Sequence, residues 1–262
     1  MEIFETIVNR RTANSAFADQ KVTQDHIETL IKMASHAPSH FNSQPWRFIV
    51  VQNENIIKKI AKIAGDSMVQ LMEDGRFWKQ YMKYFRFDEK EIEKTKDGIH
   101  IDHLPAVLKP FVRQIFSEKG GKVMAKLKVP RILGNDEEKL VAGAPILFII
   151  LLTRDEYKPA ELSGFYSVIS MGAVIQNLWL TTTALGMGMQ FISTPGEIPE
   201  NWKMIKEIIQ VPDTHEMMAI FRMGYVDPKM KRPTIDWKSS QRKPINELAY
   251  KDTWGEAISN GK

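Results

Sequence analysis

Ala144-Pro145-Ile146-Leu147-Phe148-Ile149-Ile150-Leu151-Leu152 is the stretch around which the chain organises itself. No residue from Ile146 to Leu152 is polar, yet the run falls well short of the roughly 20 residues that span a bilayer. A short apolar run rich in branched side chains predicts a strand covered on both faces, at the centre of a sheet. Beyond it, Ser163 to Leu185 is apolar almost all round, broken by Gly172-Ala173 and Gln176-Asn177, and predicts a long buried helix. Gly186 is placed to end that helix. Met187 to Ile192 reads as a strand, Trp202 to Ile209 as a helix, and Met217 to Met223 as a last strand before Gly224-Tyr225. On the N-terminal side, Ile3, Phe4, Ile7 and Val8 recur at helical spacing up to Arg10. A second helix runs from a Thr23 cap through Ile27, Leu30, Ile31 and Ala34, ended by Pro38. Trp46 to Val51 then reads as a buried strand, with a helix from about Asn53.

Between Asp66 and Asp136 aromatic and charged residues mix, with breaks at Gly98, Pro105, Pro110, Gly120, Gly121 and Pro130. This predicts a helical insertion or lid within a single domain spanning 1–262. The Pro-, Lys- and Arg-rich tail is expected to be extended. The chain has 262 residues, 43% hydrophobic and 26% charged, a balance that predicts an ordinary globular protein. It contains no cysteine, which excludes thiolate metal sites, iron–sulfur clusters and thiol nucleophiles of its own, so redox chemistry requires a borrowed cofactor. The net charge of +4 is too diffuse to predict nucleic-acid binding. No segment reads as a membrane span, and a cytoplasmic protein is the default expectation.

Two motifs carry chemistry. Arg10-Arg11-Thr12 closes the first helix with two cations and a hydroxyl, which suits a phosphate and equally suits the negative end of the helix dipole. The loop Ala37-Pro38-Ser39-His40-Phe41-Asn42-Ser43-Gln44-Pro45-Trp46 gathers polar groups ahead of a buried strand, as a ligand loop or as a capped turn.

In order and spacing, these two motifs resemble the N-terminal signature of FMN-dependent nitroreductases. The resemblance continues in Ala144-Pro145, in the helix from Gly172 to Leu185 followed by Gly186-Met187-Gly188, in Gly224-Tyr225, and in Arg242-Lys243-Pro244. It implies an α+β fold, with a central, mostly antiparallel sheet flanked by helices and a homodimer that exchanges its tails. It further implies that Arg10, Arg11, Thr12 and Arg242 hold the FMN phosphate and ribityl chain. Pro38, Ser39, His40, Asn42 and Gln44 would face the flavin, partly from the partner subunit. Ser193 and Thr194, before Pro195, match the segment near flavin N5, although Ser-Thr-Pro is also a simple turn. Where the family often has a lysine or arginine two positions past the Arg-Arg motif, this chain has Asn14 followed by one extra residue, an amide in place of a charge near the flavin N1 edge.

The implied activity is a two-stage hydride relay from NADH or NADPH through FMN to a nitroaromatic, quinone or enone. The flavin carries the chemistry, and no acid–base pair is needed. Substrate contacts fall to His40 and Phe41 beside the ring and to Trp78, Tyr81 and Tyr84 in the lid, where the aromatic run Phe77 to Phe87 could equally be core packing. Two other functions stay open: reductive dehalogenation of a halophenol, since Ser193-Thr194-Pro195 and Arg242-Lys243-Pro244 also resemble iodotyrosine deiodinases, and a flavin-binding sensor or carrier without turnover. No metal site is expected. Pro38 breaks any helix that would pair His36 with His40, and His100, Asp102 and His103 lack further ligands. Gly186-x-Gly188 precedes a strand instead of a helix, so no dedicated nicotinamide-binding domain is expected.

Overall fold

The computed structural model describes residues 2–106, 109–115, 120 and 128–256; Gly121 and the end of the tail lie outside them. The chain divides into two compact units, residues 1–71 with 128–233, and residues 72–127 with 234–262.

The first unit is built on a four-stranded sheet in the order β1-β4-β6-β5, from β1 (Trp46–Val51), β4 (Ile146–Thr153), β5 (Met187–Phe191) and β6 (His215–Tyr225). Every pairing in it is antiparallel, with Trp46 opposite Leu152, Phe148 opposite Phe221, and Met187 opposite Tyr225. The α+β architecture is therefore as expected. Strand alternation sends Ile146, Phe148, Ile150 and Leu152 to one face, against α2 (Gln24–Ser35) and the long helix α8 (Leu162–Ala184). Leu147, Ile149 and Leu151 face the other way, against α3 (Glu54–Glu73), α7 (Val129–Ala142) and α9 (Pro199–Ile208). This is why the run holds no polar residue. Burying each such side chain contributes about 1.5–3 kcal/mol.

Local signals place the remaining elements. The Thr23 hydroxyl accepts the His26 N–H and caps α2, while the Asn53 side chain accepts the Asn55 and Ile56 N–H groups at the start of α3. Gly186, at φ +67°, ends α8 in the left-handed region. One expectation fails: α8 is not buried all round. Leu162, Phe165, Val168 and Ile169 are exposed along one stripe, and Ile3, Phe4, Ile7 and Val8 of α1 (Ile3–Asn9) are exposed as well. A helix apolar on every side has one face more than the core of a single chain can cover.

The insertion is not purely helical, and its bounds differ from the expected 66–136. Asp66 to Leu71 continue α3, and residues 128–136 belong to the first unit with α7. The second unit carries α4 (Arg76–Tyr81), β2 (Phe85–Arg86), α5 (Glu89–Thr95), β3 (Ile99–His103) and α6 (Val112–Ile115). The tail supplies β7 (Asp236–Lys238) and α10 (Ile245–Leu248), and β7 pairs antiparallel with β3 in the order β2-β3-β7. Sequence periodicity cannot show that pairing, because β2 and β7 are two and three residues long. The Arg86 guanidinium holds this unit's turns together through Thr95 and Asp97.

Helices α3 and α7 meet at two glycines: a Cβ on Gly134 would lie 2.5 Å from Val69 Cγ2 and 2.7 Å from the Gly65 carbonyl oxygen. Gly→Ala inside a helix ordinarily stabilises by up to about 1 kcal/mol. Here we expect Gly134→Ala to destabilise by about 1–3 kcal/mol through overpacking, read as a lower Tm in thermal melts.

Glu137 on α7 offers a second test. Burial pushes its carboxyl above the ordinary 4.5, and the nearby Arg222 charge opposes that rise only in part. A carboxyl with a raised folded pKa binds its proton more tightly in the native state, so its contribution to stability is present at low pH. That contribution declines as pH climbs from the ordinary carboxyl value through the raised one. Wild-type Tm should slope downward across that window relative to Glu137→Gln, and the variant should be the more stable above it. Parallel Tm-versus-pH curves for the two proteins would refute the assignment.

Candidate cofactor site

Arg10 terminates α1, its N–H donating to the Thr6 carbonyl, and its guanidinium lies 5.0 Å from the centre of the Trp179 ring on α8. That cation–π contact fixes the side chain against α8. Arg11 is exposed and donates from Nη1 to the Val8 and Arg10 carbonyls, the helix-end role that sequence alone allowed. Thr12 bridges to Met189 of β5, and the Ala13 N–H donates to the Met189 carbonyl at 3.1 Å. The motif is thus zipped onto the sheet edge. Asn14 is half-buried in the same loop.

The glycines of the later motifs make this closeness possible. A Cβ on Gly188 would lie 2.7 Å from Ala13 Cβ, and one on Gly224 would lie 2.6 Å from Phe17 Cγ. The backbone of β5 and β6 must be bare for residues 13–17 to lie against it. Arg222, unremarked in the sequence, completes the arrangement. It is 1% exposed, inside a strand that is otherwise apolar around it. Its Nε donates to Gln190 Oε1 at 2.6 Å, its Nη2 donates to the Ala13 and Ser15 carbonyls at 2.5 and 3.0 Å, and its plane lies over Phe17 at 4.7 Å. A lone arginine within Met217 to Met223 was the available signal.

The second motif forms a 3₁₀ turn at His40–Asn42. Phe41, Asn42 and Gln44 all have φ between +44° and +57°, a left-handed geometry that costs a non-glycine residue about 1–2 kcal/mol. The Ser39 hydroxyl accepts the Gln44 N–H at 3.0 Å, and the Gln44 amide donates to Asn42 Oδ1 at 3.2 Å, which locks the turn. His40 stacks on Tyr166 of α8 at 4.1 Å and 7°, and Phe41 stands 93% exposed beside it. Pro38 is exposed. Backbone strain spent on an exposed phenyl ring serves no packing within this chain.

Ser193 and Thr194 lie at the turn after β5, where the two hydroxyls part company. Thr194 is 6% exposed and its hydroxyl donates to the Ala64 carbonyl at 3.2 Å, a core bond. Ser193 is half-buried. The remaining residues belong to the second unit. Arg242 is exposed and donates to the Ser239 and Gln241 carbonyls. Trp78 is 2% exposed against Phe77, which gives its indole a packing role, whereas Tyr81 is half-buried and Tyr84 exposed with the Lys83 ammonium over its ring. Among the described residues no three potential metal ligands cluster, and Asp102 pairs with Lys238 at 2.7 Å.

The two motifs do not meet within one chain. Arg10 sits at Trp179 and His40 at Tyr166, thirteen residues apart on α8, or about 20 Å along its axis. The donor set nonetheless fits a phosphorylated ligand with a flat ring: two adjacent guanidinium groups, a hydroxyl at a sheet edge, and a strained loop offering His40, Phe41 and Asn42.

Comparison with known proteins agrees with this fold. A putative NADH dehydrogenase/NAD(P)H nitroreductase of Archaeoglobus fulgidus is 36% identical over 61 residues, 23% of this chain and 34% of that protein, so the match spans about a third of that relative. An iodotyrosine deiodinase of Thermotoga neapolitana is 22% identical over 236 residues, 89% of this chain and 94% of that protein. A solved nitroreductase with bound FMN from Bacteroides fragilis shares the fold, with a TM-score of 0.51 at 16% identity over 88% of this chain and 91% of that one. The family model described as the nitroreductase family matches residues 7–225. With that match covering most of its length, and with the sheet, the Arg10–Thr12 edge and the Ser39–Gln44 turn in place, the chain belongs to the nitroreductase family.

Proposed function

We propose that the protein is an FMN-dependent oxidoreductase working as a homodimer, with each site completed by the partner subunit. The observation that carries this reading is the arrangement along α8. Its exposed stripe runs through Leu162, Phe165, Ile169 and Gly172, past the contact of His40 at Tyr166 and toward that of Arg10 at Trp179. Gly172 lies midway, and a Cβ there would meet nothing in its own chain. A two-fold axis near Gly172 sets two copies of α8 antiparallel and carries the Ser39–Gln44 turn of one chain to the Arg10–Thr12 edge of the other. It also covers the apolar stripe, which is larger than a monomer ordinarily exposes once α1 is included.

FMN held there would supply the redox chemistry, hydride transfer from NAD(P)H and reduction of a nitroaromatic, quinone or enone. The chain's residues bind and orient. Arg10, Arg11 and Arg242 offset the phosphate dianion, and the Thr12 hydroxyl adds a neutral donor. Ser39, Asn42 and Gln44 offer polar groups to the ligand, and His40 with Phe41 forms a flat apolar wall on which an aromatic acceptor can lie. With Thr194 tied to Ala64, the hydroxyl available toward the ring is that of Ser193. Asn14 would offer an amide near the N1 edge of the ring, where the resemblance implies that the family often has a lysine or arginine. A second reading, reductive dehalogenation of a halophenol, draws support from the deiodinase relative aligned over 89% of the chain.

The purified protein should show a flavin absorption band that bleaches on anaerobic NADH or NADPH and returns with a quinone. Arg10→Ala should weaken FMN binding about 10- to 100-fold, the loss of one charge-assisted phosphate contact. A colourless protein that added FMN cannot restore would sink the reading, and accumulation of a one-electron-reduced species during titration would favour dehalogenation.

Gly172→Arg provides a separate check on assembly. The open space around Gly172 lets the chain fold, so sedimentation should show a monomer and FMN should be lost with the dimer. A wild-type monomer that holds FMN would contradict the shared site.

A further inference from the structure

Arg222 is expensive to keep where it is. A guanidinium 1% exposed in the middle of a sheet carries a desolvation cost of several kcal/mol, and an apolar side chain of similar volume at such a place is often neutral or stabilising. Its bonds show what it does there. One, to Gln190 Oε1, goes to the sheet. The two from Nη2 go to the backbone of residues 13 and 15, and the stacking contact goes to Phe17. All three loop partners lie in the five residues that follow Arg10-Arg11-Thr12.

Backbone hydrogen bonds anchor this loop at intervals. Thr12 and Ala13 are hung on Met189, Ala16 on the Lys231 carbonyl, and Ala18 on the Tyr225 carbonyl. Between the first and second of these anchors, the guanidinium takes both backbone carbonyls, at Ala13 and Ser15. A trans peptide points its N–H opposite to its C=O, so drawing the Ala13 carbonyl inward turns the Asn14 N–H away from the guanidinium. The planar fork thereby sets two peptide planes directly behind the arginine pair. A lysine, a single point charge, cannot fix both in the same way.

We propose that Arg222 is a positioning residue for the cofactor-phosphate loop: its guanidinium, oriented by Gln190, fixes the backbone of residues 13–15 and so the placement of Arg10, Arg11, Thr12 and Asn14 toward FMN. This rests on the FMN reading of the site. Phe17 supports the guanidinium from below, and Gly188 and Gly224 let the loop come within its reach.

The test compares Arg222→Met, Arg222→Lys and Gln190→Leu with Trp202→Phe. The last removes a bond from the Trp202 Nε1–H to the Met217 carbonyl, near the far end of β6, and serves as a destabilised control that leaves the loop intact. FMN dissociation constants are measured by fluorescence titration of the apoprotein well below each Tm, and amide exchange is followed over residues 13–18. Arg222→Met should weaken FMN binding about 10- to 100-fold and speed exchange in the loop, with Arg222→Lys intermediate and Gln190→Leu smaller. Trp202→Phe should lower Tm and change neither. If Arg222→Met lowers Tm but keeps wild-type FMN affinity and loop exchange, or if Trp202→Phe weakens FMN equally, the positioning role is overturned while the cofactor reading stands. Should Arg222→Met not fold, Arg222→Lys and Gln190→Leu decide by the same two measurements. A wild-type protein that takes up no FMN overturns the cofactor reading itself, and shows it before any variant is made.

Discussion

Burial of β4 on both faces is the constraint from which the rest of the first unit follows. Antiparallel sheets commonly leave one face to water, but a strand with no polar residue from Ile146 to Leu152 cannot. Helices must cover each side: α2 and α8 over Phe148 and Ile150, and α3, α7 and α9 over Leu147 and Ile149. Once both layers are in place, open surface for a ligand is left where the layers end, and the candidate residues lie there: at the edge strand β5, at the turn before β1, and along the outer stripe of α8.

The same constraint makes Arg222 conspicuous. Alternation directs it to the face shared by Leu147 and Ile149, where its neighbours on β4 are apolar, and it is tolerated because two carbonyls, an amide oxygen and an aromatic face receive it. Glu137 of α7 feels the same guanidinium, with burial raising its carboxyl and the guanidinium restraining the rise.

Much of this was legible along the chain. The β4 run, the 23-residue helix, Thr23 as a cap and Gly186 as a stop all declared themselves, because each depends on near neighbours in sequence. The Arg10–Thr12 and Ser39–Gln44 motifs were legible too, and both lie in irregular segments held against the sheet or α8. The three-stranded sheet of the second unit was not. A two-residue and a three-residue strand carry no periodicity, and β7 finds β3 from more than 130 positions away. Trp78 looked like part of an aromatic lid and is a buried packing residue, because the spacing of a cluster does not say which of its members turns inward.

Sequence by itself determined the class of fold, the central strand, the order of the elements in the first unit, and two polar motifs for which the family resemblance implies a phosphorylated flat ligand. Those are matters of pattern and local backbone preference. Tertiary structure alone decided that the two motifs stand about 20 Å apart on α8, that the Thr194 hydroxyl serves the core, and that an arginine within an apolar strand reaches across to hold the motif loop. Each of these rests on contacts between residues more than 120 positions apart, set by how layers pack, and no local pattern encodes a distance of that kind.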